Sequence, residues 1–167
     1  MSTPFVAIVM GSDSDLPVME ASFEILKKFN IPFEVRITSA HRTPAAAKAF
    51  VEDADKRGCA AFIAAAGMAA HLAGAVSATT VKPVIGVPMN ASLDGLDALL
   101  STVQMPAGIP VATVAIGKAG AKNAAYLAAQ IIGVSNSAVA EALRAERAEN
   151  AAAIEEKNAA LQAQLKG

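Results

Sequence analysis

GCAAFIAAAGMAAHLAGAVSATTV, residues 58–81, contains no Lys, Arg, Asp or Glu. A membrane span needs about 20 apolar residues, so the stretch is long enough to raise that question. Its interior argues against a span. His71, Ser77, Thr79, Thr80 and the glycines at 58, 67 and 74 interrupt it, and much of the remainder is Ala. It reads instead as a buried strand (60–66), a loop, and a buried helix (70–80).

The same alternation extends in both directions. PFVAIVM (4–10), PFEVRIT (32–38), KPVIGVP (82–88) and PVATVAI (110–116) are short, rich in Val, Ile and Phe, and mostly end in Gly, Pro or Ser. They read as strands. All but PFEVRIT are nearly continuously apolar, as strands covered on both faces should be. Between them lie helical patterns at 16–29, 44–56, 93–103 and 119–132. The helix at 44 opens with Thr43-Pro44, a capping residue followed by Pro at the first helical position. It ends in Lys56-Arg57-Gly58. Strands alternating with helices predict an α/β fold, with a parallel five-stranded sheet and helices on both faces.

Composition excludes several classes of function. The chain of 167 residues has 14 Lys+Arg against 15 Asp+Glu, so no basic field draws it to nucleic acid or an anionic membrane. One Tyr and no Trp leave little for stacking on bases. The lone Cys59, at a helix-to-strand junction, excludes a disulfide framework and reads as inert core. With only His41 and His71, a His-rich metal site is excluded too. The opening MSTPFVAIVMGSDSD lacks the basic region of a secretory signal, so cytoplasmic residence is expected.

In an open parallel sheet, ligands bind outside the carboxyl ends of the strands. The loops there are Gly11-Ser12-Asp13-Ser14-Asp15, Ser39-Ala40-His41-Arg42-Thr43, the loop from Gly67 to Gly74, Met89-Asn90-Ala91-Ser92, and Gly117-Lys118-Ala119-Gly120. They hold both histidines and most of the loop hydroxyls. The opposite loops, such as Asn30-Ile31 and Ala107-Gly108-Ile109, are plainer. This sorting points to a small-molecule site. GSDSD sits where a helix begins, so its hydroxyls and free N–H groups suit an oxyanion and Asp15 suits a ribose hydroxyl. Simple N-capping by Ser12, Asp13 or Ser14 is the alternative. The motif is neither a Walker A sequence nor GxGxxG. SAHRTP pairs a proton-transfer side chain with a guanidinium able to fork onto phosphate, or is a turn with a solvated charge. His71 either touches ligand or is a satisfied buried histidine. Asp94 and Asp97 read as helix-start carboxylates, and Lys118 and Lys122 as surface or rim charges.

The last segment, 135–167, is rich in Ala, Glu and Arg. As a helix it would run roughly 45 Å. On a helical wheel Val139, Leu143, Ile154, Leu161 and Leu165 fall within an arc of about 80°. It packs on its own domain, or it is an arm that buries this stripe on another subunit; the second is expected, because the other helices already cover the sheet. The organisation is thus an α/β body at 1–134 with a helical extension at 135–167, which is not a separate domain.

Taken in order, GSDSD, SAHRTP, AGMAAHLAG, PVIGVP, LDGLDALLSTVQMPAGIPVATVAIG and GKAGAKNAA resemble the 5-(carboxyamino)imidazole ribonucleotide mutases of purine biosynthesis, the bacterial class I PurE type. The likeness covers residues 6–132. It implies a flavodoxin-like three-layer sandwich and a homo-octamer with sites at subunit junctions. It also implies a carboxylate shift from the exocyclic nitrogen to ring carbon 4, with no ATP, metal or organic cofactor. By position, His41 takes the family's general acid/base role. Ser12 and Asp15 match substrate-binding positions, with Asp15 on the ribose, and Ser14 and Arg42 hold the phosphate. Gly11 and Ser39 line the same loops, and Ala66, Gly67 and His71 surround the base and its carboxylate. The loop departs from the family's usual pattern at Ala65, Met68 and Ala73, which stand for Gly, Gly and Pro. The retained AAHL favours class I over the class II enzymes, which carboxylate aminoimidazole ribonucleotide directly with CO₂. A non-catalytic nucleotide-binding module of the same fold is the competing reading from another class.

Overall fold

The computed structural model describes residues 4–166. Residues 1–3 and Gly167, the outer ends of the two expected segments, lie outside the described residues. The strands are β1 (Phe5–Met10), β2 (Phe33–Ile37), β3 (Cys59–Ala66), β4 (Val84–Pro88) and β5 (Ala112–Thr113). They pair in parallel in the order β2-β1-β3-β4-β5. Parallel neighbours need crossovers, and four helices supply them: α1 (Leu16–Lys28), α2 (Pro44–Lys56), α3 (Leu72–Ser77) and α4 (Leu96–Val103); α5 (Gly117–Gly133) and α6 (Ser137–Lys166) follow the last strand. This is the flavodoxin-like order. The crossovers diverge between β1 and β3, and a crevice opens at the carboxyl ends of those two strands.

The near-continuous apolar runs follow from burial on both faces. Along β1, Val6, Ile8 and Met10 pack towards α1 and α5, while Phe5, Ala7 and Val9 pack towards α2 and α3. β3 divides the same way, Ala61, Ile63 and Ala65 against Phe62 and Ala64. A fully buried aliphatic side chain such as Ile8 or Ile63 contributes about 1.5–3 kcal/mol. The apolar segment at 58–81 becomes β3, a loop and α3, and no helix among the described residues is long and apolar enough to cross a membrane.

Two expectations change. The fifth apolar run yields only two strand residues, with Ala112 exposed and Thr113 half-buried. It lies at the sheet edge with one neighbour, and Pro110 has no N–H to offer a ladder. The helix expected at 93–103 is broken. A 3₁₀ turn (Leu93–Gly95) holds Leu93 and Asp94 in the left-handed region before α4 starts. Gly120, in the first turns of α5, permits a close approach: a Cβ there would stand 1.6 Å from the Ala115 carbonyl oxygen.

The extension forms one helix with two unlike halves. Val139, Leu143 and Glu146 of α6 are buried, the two apolar ones joining the core on the α1/α5 side. The Glu146 carboxylate accepts from Lys28 Nζ on α1 and, at 2.8 Å, from the Tyr126 hydroxyl on α5. From residue 147 to 166 every side chain is exposed, including Ile154, Leu161 and Leu165.

Candidate active site

The crevice at the β1/β3 switch is an open cleft of about 490 Å³. Backbone bonds fix its floor. Gly11 N–H donates to Ala65 O at 3.1 Å, Thr38 N–H to Met10 O at 2.9 Å, and Met89 N–H to Ala66 O at 2.9 Å. The strand ends therefore hold their loops at one level.

After β1, Ser12 caps the 3₁₀ turn Asp13–Asp15, and its Oγ accepts from the Ser14 N–H at 3.2 Å. Capping does not use up the motif. Ser14 Oγ donates to Ser12 Oγ at 2.9 Å, and both hydroxyls line the cleft with Gly11 and Asp15. Burial raises the Asp15 carboxyl above its ordinary range; the Ser12 backbone opposes this and neighbouring Asp13 adds to it.

After β2, Thr43 stands at the N-cap of α2 without making the cap bond. Its hydroxyl ties the preceding loop instead. It accepts from Ser39 N–H at 2.9 Å and lies 3.2 Å from both Ser39 O and Thr38 Oγ1. Ser39 Oγ accepts from Arg42 N–H at 3.1 Å. The Arg42 guanidinium reaches Gly11 O at 3.4 Å and forms no ion pair among the described residues. Its donors therefore stay available at the cleft.

After β3, the loop turns back at Met68, whose φ is +53°. His71 N–H donates to Ala69 O at 2.9 Å. The His71 ring meets His41 across the cleft wall, Nε2 of His41 to Nδ1 of His71 at 2.7 Å, with the planes at 86°. Ala66, Gly67, Ala69, Leu72 and Ala91 add apolar lining.

All ten residues expected from sequence line this one cleft: Gly11, Ser12, Ser14, Asp15, Ser39, His41, Arg42, Ala66, Gly67 and His71. Ala40, Met68, Ala69, Leu72 and Ala91 line it as well. These five lie in or beside the same strand-end loops, which was the available signal. Lys118 and Lys122 stay outside it. Among the described residues, no three His, Cys, Asp or Glu side chains gather as a metal-ion site. Chemically the cleft offers free cationic and hydroxyl donors for an anion, a carboxylate for hydroxyls, and a coupled imidazole pair for moving a proton.

The family model described as AIR carboxylase matches residues 5–153. The chain is 52% identical over 155 residues to the N5-carboxyaminoimidazole ribonucleotide mutase of Pyrococcus horikoshii, covering 92% of this chain and 86% of that one. It is 59% identical over 136 residues to the phosphoribosylaminoimidazole carboxylase of Ogataea methanolica, covering 81% of this chain and 25% of that one. Among solved structures, Treponema denticola PurE superposes with a TM-score of 0.86 at 32% identity, covering 95% of this chain and 98% of that one.

Proposed function

The chain belongs to the AIR carboxylase family, and from that membership we propose that it is a mutase. It moves the carboxylate of 5-(carboxyamino)imidazole ribonucleotide from the exocyclic nitrogen to ring carbon 4. The chain spans most of the relatives named as mutases, which favours that reaction. The observation that supports it most is the His41–His71 pair on the same cleft as the Ser12, Ser14 and Arg42 side chains.

Arg42 and the Ser14 hydroxyl hold the 5′-phosphate, as charge-assisted donors suit a dianion. Asp15 accepts from the ribose hydroxyls, and Ser12 donates beside it. Protonated His41 gives its proton to the exocyclic nitrogen as the N–C bond to the carboxyl breaks, leaving aminoimidazole ribonucleotide and CO₂. The apolar wall of Ala66, Ala69, Leu72 and Ala91 keeps CO₂ in place and water out. Carbon 4 attacks CO₂, and neutral His41 takes the proton that carbon 4 must lose. One imidazole thus gives and recovers one proton, so the reaction balances without an outside acid or base.

A homo-oligomer, an octamer by the family resemblance, accompanies this reading. Its support is an apolar face on α4: Leu96, Leu100 and Val103 recur at helical spacing and are 53%, 48% and 46% exposed. The outer half of α6 belongs to the same assembly. A cytoplasmic location, beside other steps of purine synthesis, goes with this reading.

Direct carboxylation of aminoimidazole ribonucleotide with CO₂ is the second reading, favoured by the fungal relatives that carry the carboxylase name. The deciding assay is conversion of 5-(carboxyamino)imidazole ribonucleotide without ATP, metal or bicarbonate, comparing wild type with His41→Asn. Turnover by wild type, with a folded and inert variant, is expected. Turnover only of aminoimidazole ribonucleotide with CO₂ would move the chain to the carboxylases. Neither activity would leave a nucleotide-binding module.

A further inference from the structure

Among the described residues, four that are not glycine have left-handed backbone: Asn30, Met68, Leu93 and Asp94. Asn and Asp visit this region readily, because their short polar side chains bond locally. Leu93 lies in the turn before α4, outside the cleft. Met68 alone combines this conformation with a place on the cleft wall. Its Cβ carries a steric cost that glycine would not.

Met68 also differs from the methionines of the core. Met10, Met19 and Met89 are 0%, 0% and 4% exposed, whereas Met68 is 57% exposed. It is therefore not filling a gap between helices and sheet. Its carbonyl lies 3.5 Å from the Ser101 hydroxyl of α4, whose single proton goes to Asp97 O at 2.7 Å. The thioether stays uncovered. The chain sustains a left-handed methionine and an exposed apolar side chain at one point, and neither is repaid by packing within the chain. Residues kept in such conformations gather where a ligand is gripped. The cleft wall around Met68 is apolar, with Ala66, Ala69, Leu72 and Ala91, while the hydroxyls and guanidinium lie on other loops.

We propose that Met68 is a specificity-determining residue that covers the planar heterocycle of the bound ribonucleotide. This rests on the ribonucleotide reading above and adds which side chain selects for the base. The flexible thioether lies against the ring, where sulfur and π-system attract, and sheds water from it. The ribose phosphate is held without its help.

The experiment is calorimetric titration of wild type, M68A, M68G and M68L with two ligands. One is the carbon-carboxylated aminoimidazole ribonucleotide; the other is ribose 5-phosphate, which lacks the heterocycle. Loss of the thioether in M68A and M68G should weaken the ribonucleotide by about tenfold and leave ribose 5-phosphate unchanged, while M68L stays within about twofold of wild type. M68G should melt at or above the wild-type temperature, since glycine removes the steric cost; this separates loss of contact from loss of fold. Bound ribonucleotide, but not ribose 5-phosphate, should slow oxidation of the Met68 sulfur by hydrogen peroxide, read by mass spectrometry. Unchanged ribonucleotide affinity in M68A, or equal loss for both ligands, overturns the proposal. So does a change in oligomer size, which would mean that Met68 packs on another copy. The conversion assay keeps the two readings apart. A wild type that binds the ribonucleotide through Met68 without converting it overturns the mutase reading alone. Conversion with no discrimination at Met68 overturns this proposal alone, and binding of neither ligand overturns both.

Discussion

Nε2 of His41 lies 2.7 Å from Nδ1 of His71, so the only two imidazoles in the chain share one hydrogen bond. One nitrogen donates and the other accepts. If both rings were protonated, two N–H groups would face each other across that distance. The contact therefore requires a bare ring nitrogen on one side, and it fixes the two rings against each other.

His41→Asn should lower kcat by about 10² to 10⁴-fold and leave ligand binding within a few-fold, as loss of a general acid/base does. His71→Ala should lower kcat, because the His41 ring loses the partner that orients it. An unchanged kcat in His71→Ala would sever His71 from the proton path.

Arg42 should act through KM. It is exposed, unpaired by any carboxylate among the described residues, and aimed along Gly11. Arg42→Ala should raise KM by about 10 to 100-fold, since a hydrogen bond to a charged group is worth about 1.5–3 kcal/mol. Arg42→Lys should recover only part of this, because an ammonium lacks the planar fork. Steady-state kinetics on both variants would decide.

The Lys28–Glu146–Tyr126 cluster should set how firmly α6 docks. Tyr126→Phe should cost about 1–2 kcal/mol in urea unfolding, from the hydroxyl's bond to a carboxylate. Burial works to raise the Glu146 carboxyl, but bonds from Lys28 and Tyr126 outweigh it and hold it below its ordinary value. A lowered folded pKa means that the stabilisation is present above the ordinary glutamate value of 4.5 and is lost as pH falls through the folded one. Burial, with Glu146 adding, pushes the Tyr126 hydroxyl up to about 12, so its contribution holds below pH 10 and is lost as pH rises towards 12. Thermal melts of wild type and Glu146→Gln should converge in acid and separate near neutrality.

Gly120→Ala should destabilise the body by about 3 kcal/mol or more, as overpacking against a fixed backbone does. The added Cβ would meet the Ala115 carbonyl, and no side-chain rotation relieves that. Gly108→Ala is the control: nothing lies within 4 Å there, and only its φ of +95° opposes the change. Comparing the two melts separates contact from backbone strain.

What the sequence revealed, and what it hid, follows from the range of the forces involved. β1 and β3 were legible because both faces are covered, which demands the unbroken apolar runs seen at Phe5–Met10 and Cys59–Ala66. The loops of the cleft were legible because strand order alone sends them to one edge. The bond between His41 and His71 was not, since it depends on two loop shapes on separate strands. Methionine has no preference for a left-handed backbone, so the one hint at Met68 was that it stands where the resembling family usually has Gly. Thr43 looked like a helix cap, but its hydroxyl found nearer partners in its own loop. Glu146 resembles Glu141 and Glu149 in an Ala-rich helix; only the approach of Lys28 and Tyr126 sets it apart.

The bare outer half of α6 turns this helix into a gauge. From residue 147 to 166 the amides rely on the helix's own hydrogen bonds, and a helix without tertiary packing is marginal in water. In the dissociated chain these amides should trade their hydrogens for deuterium within the fastest phase, well ahead of those around Val139 and Leu143. Any slowing at 147–166 as protein concentration rises would therefore count subunits coming together, with no label and no change to the chain.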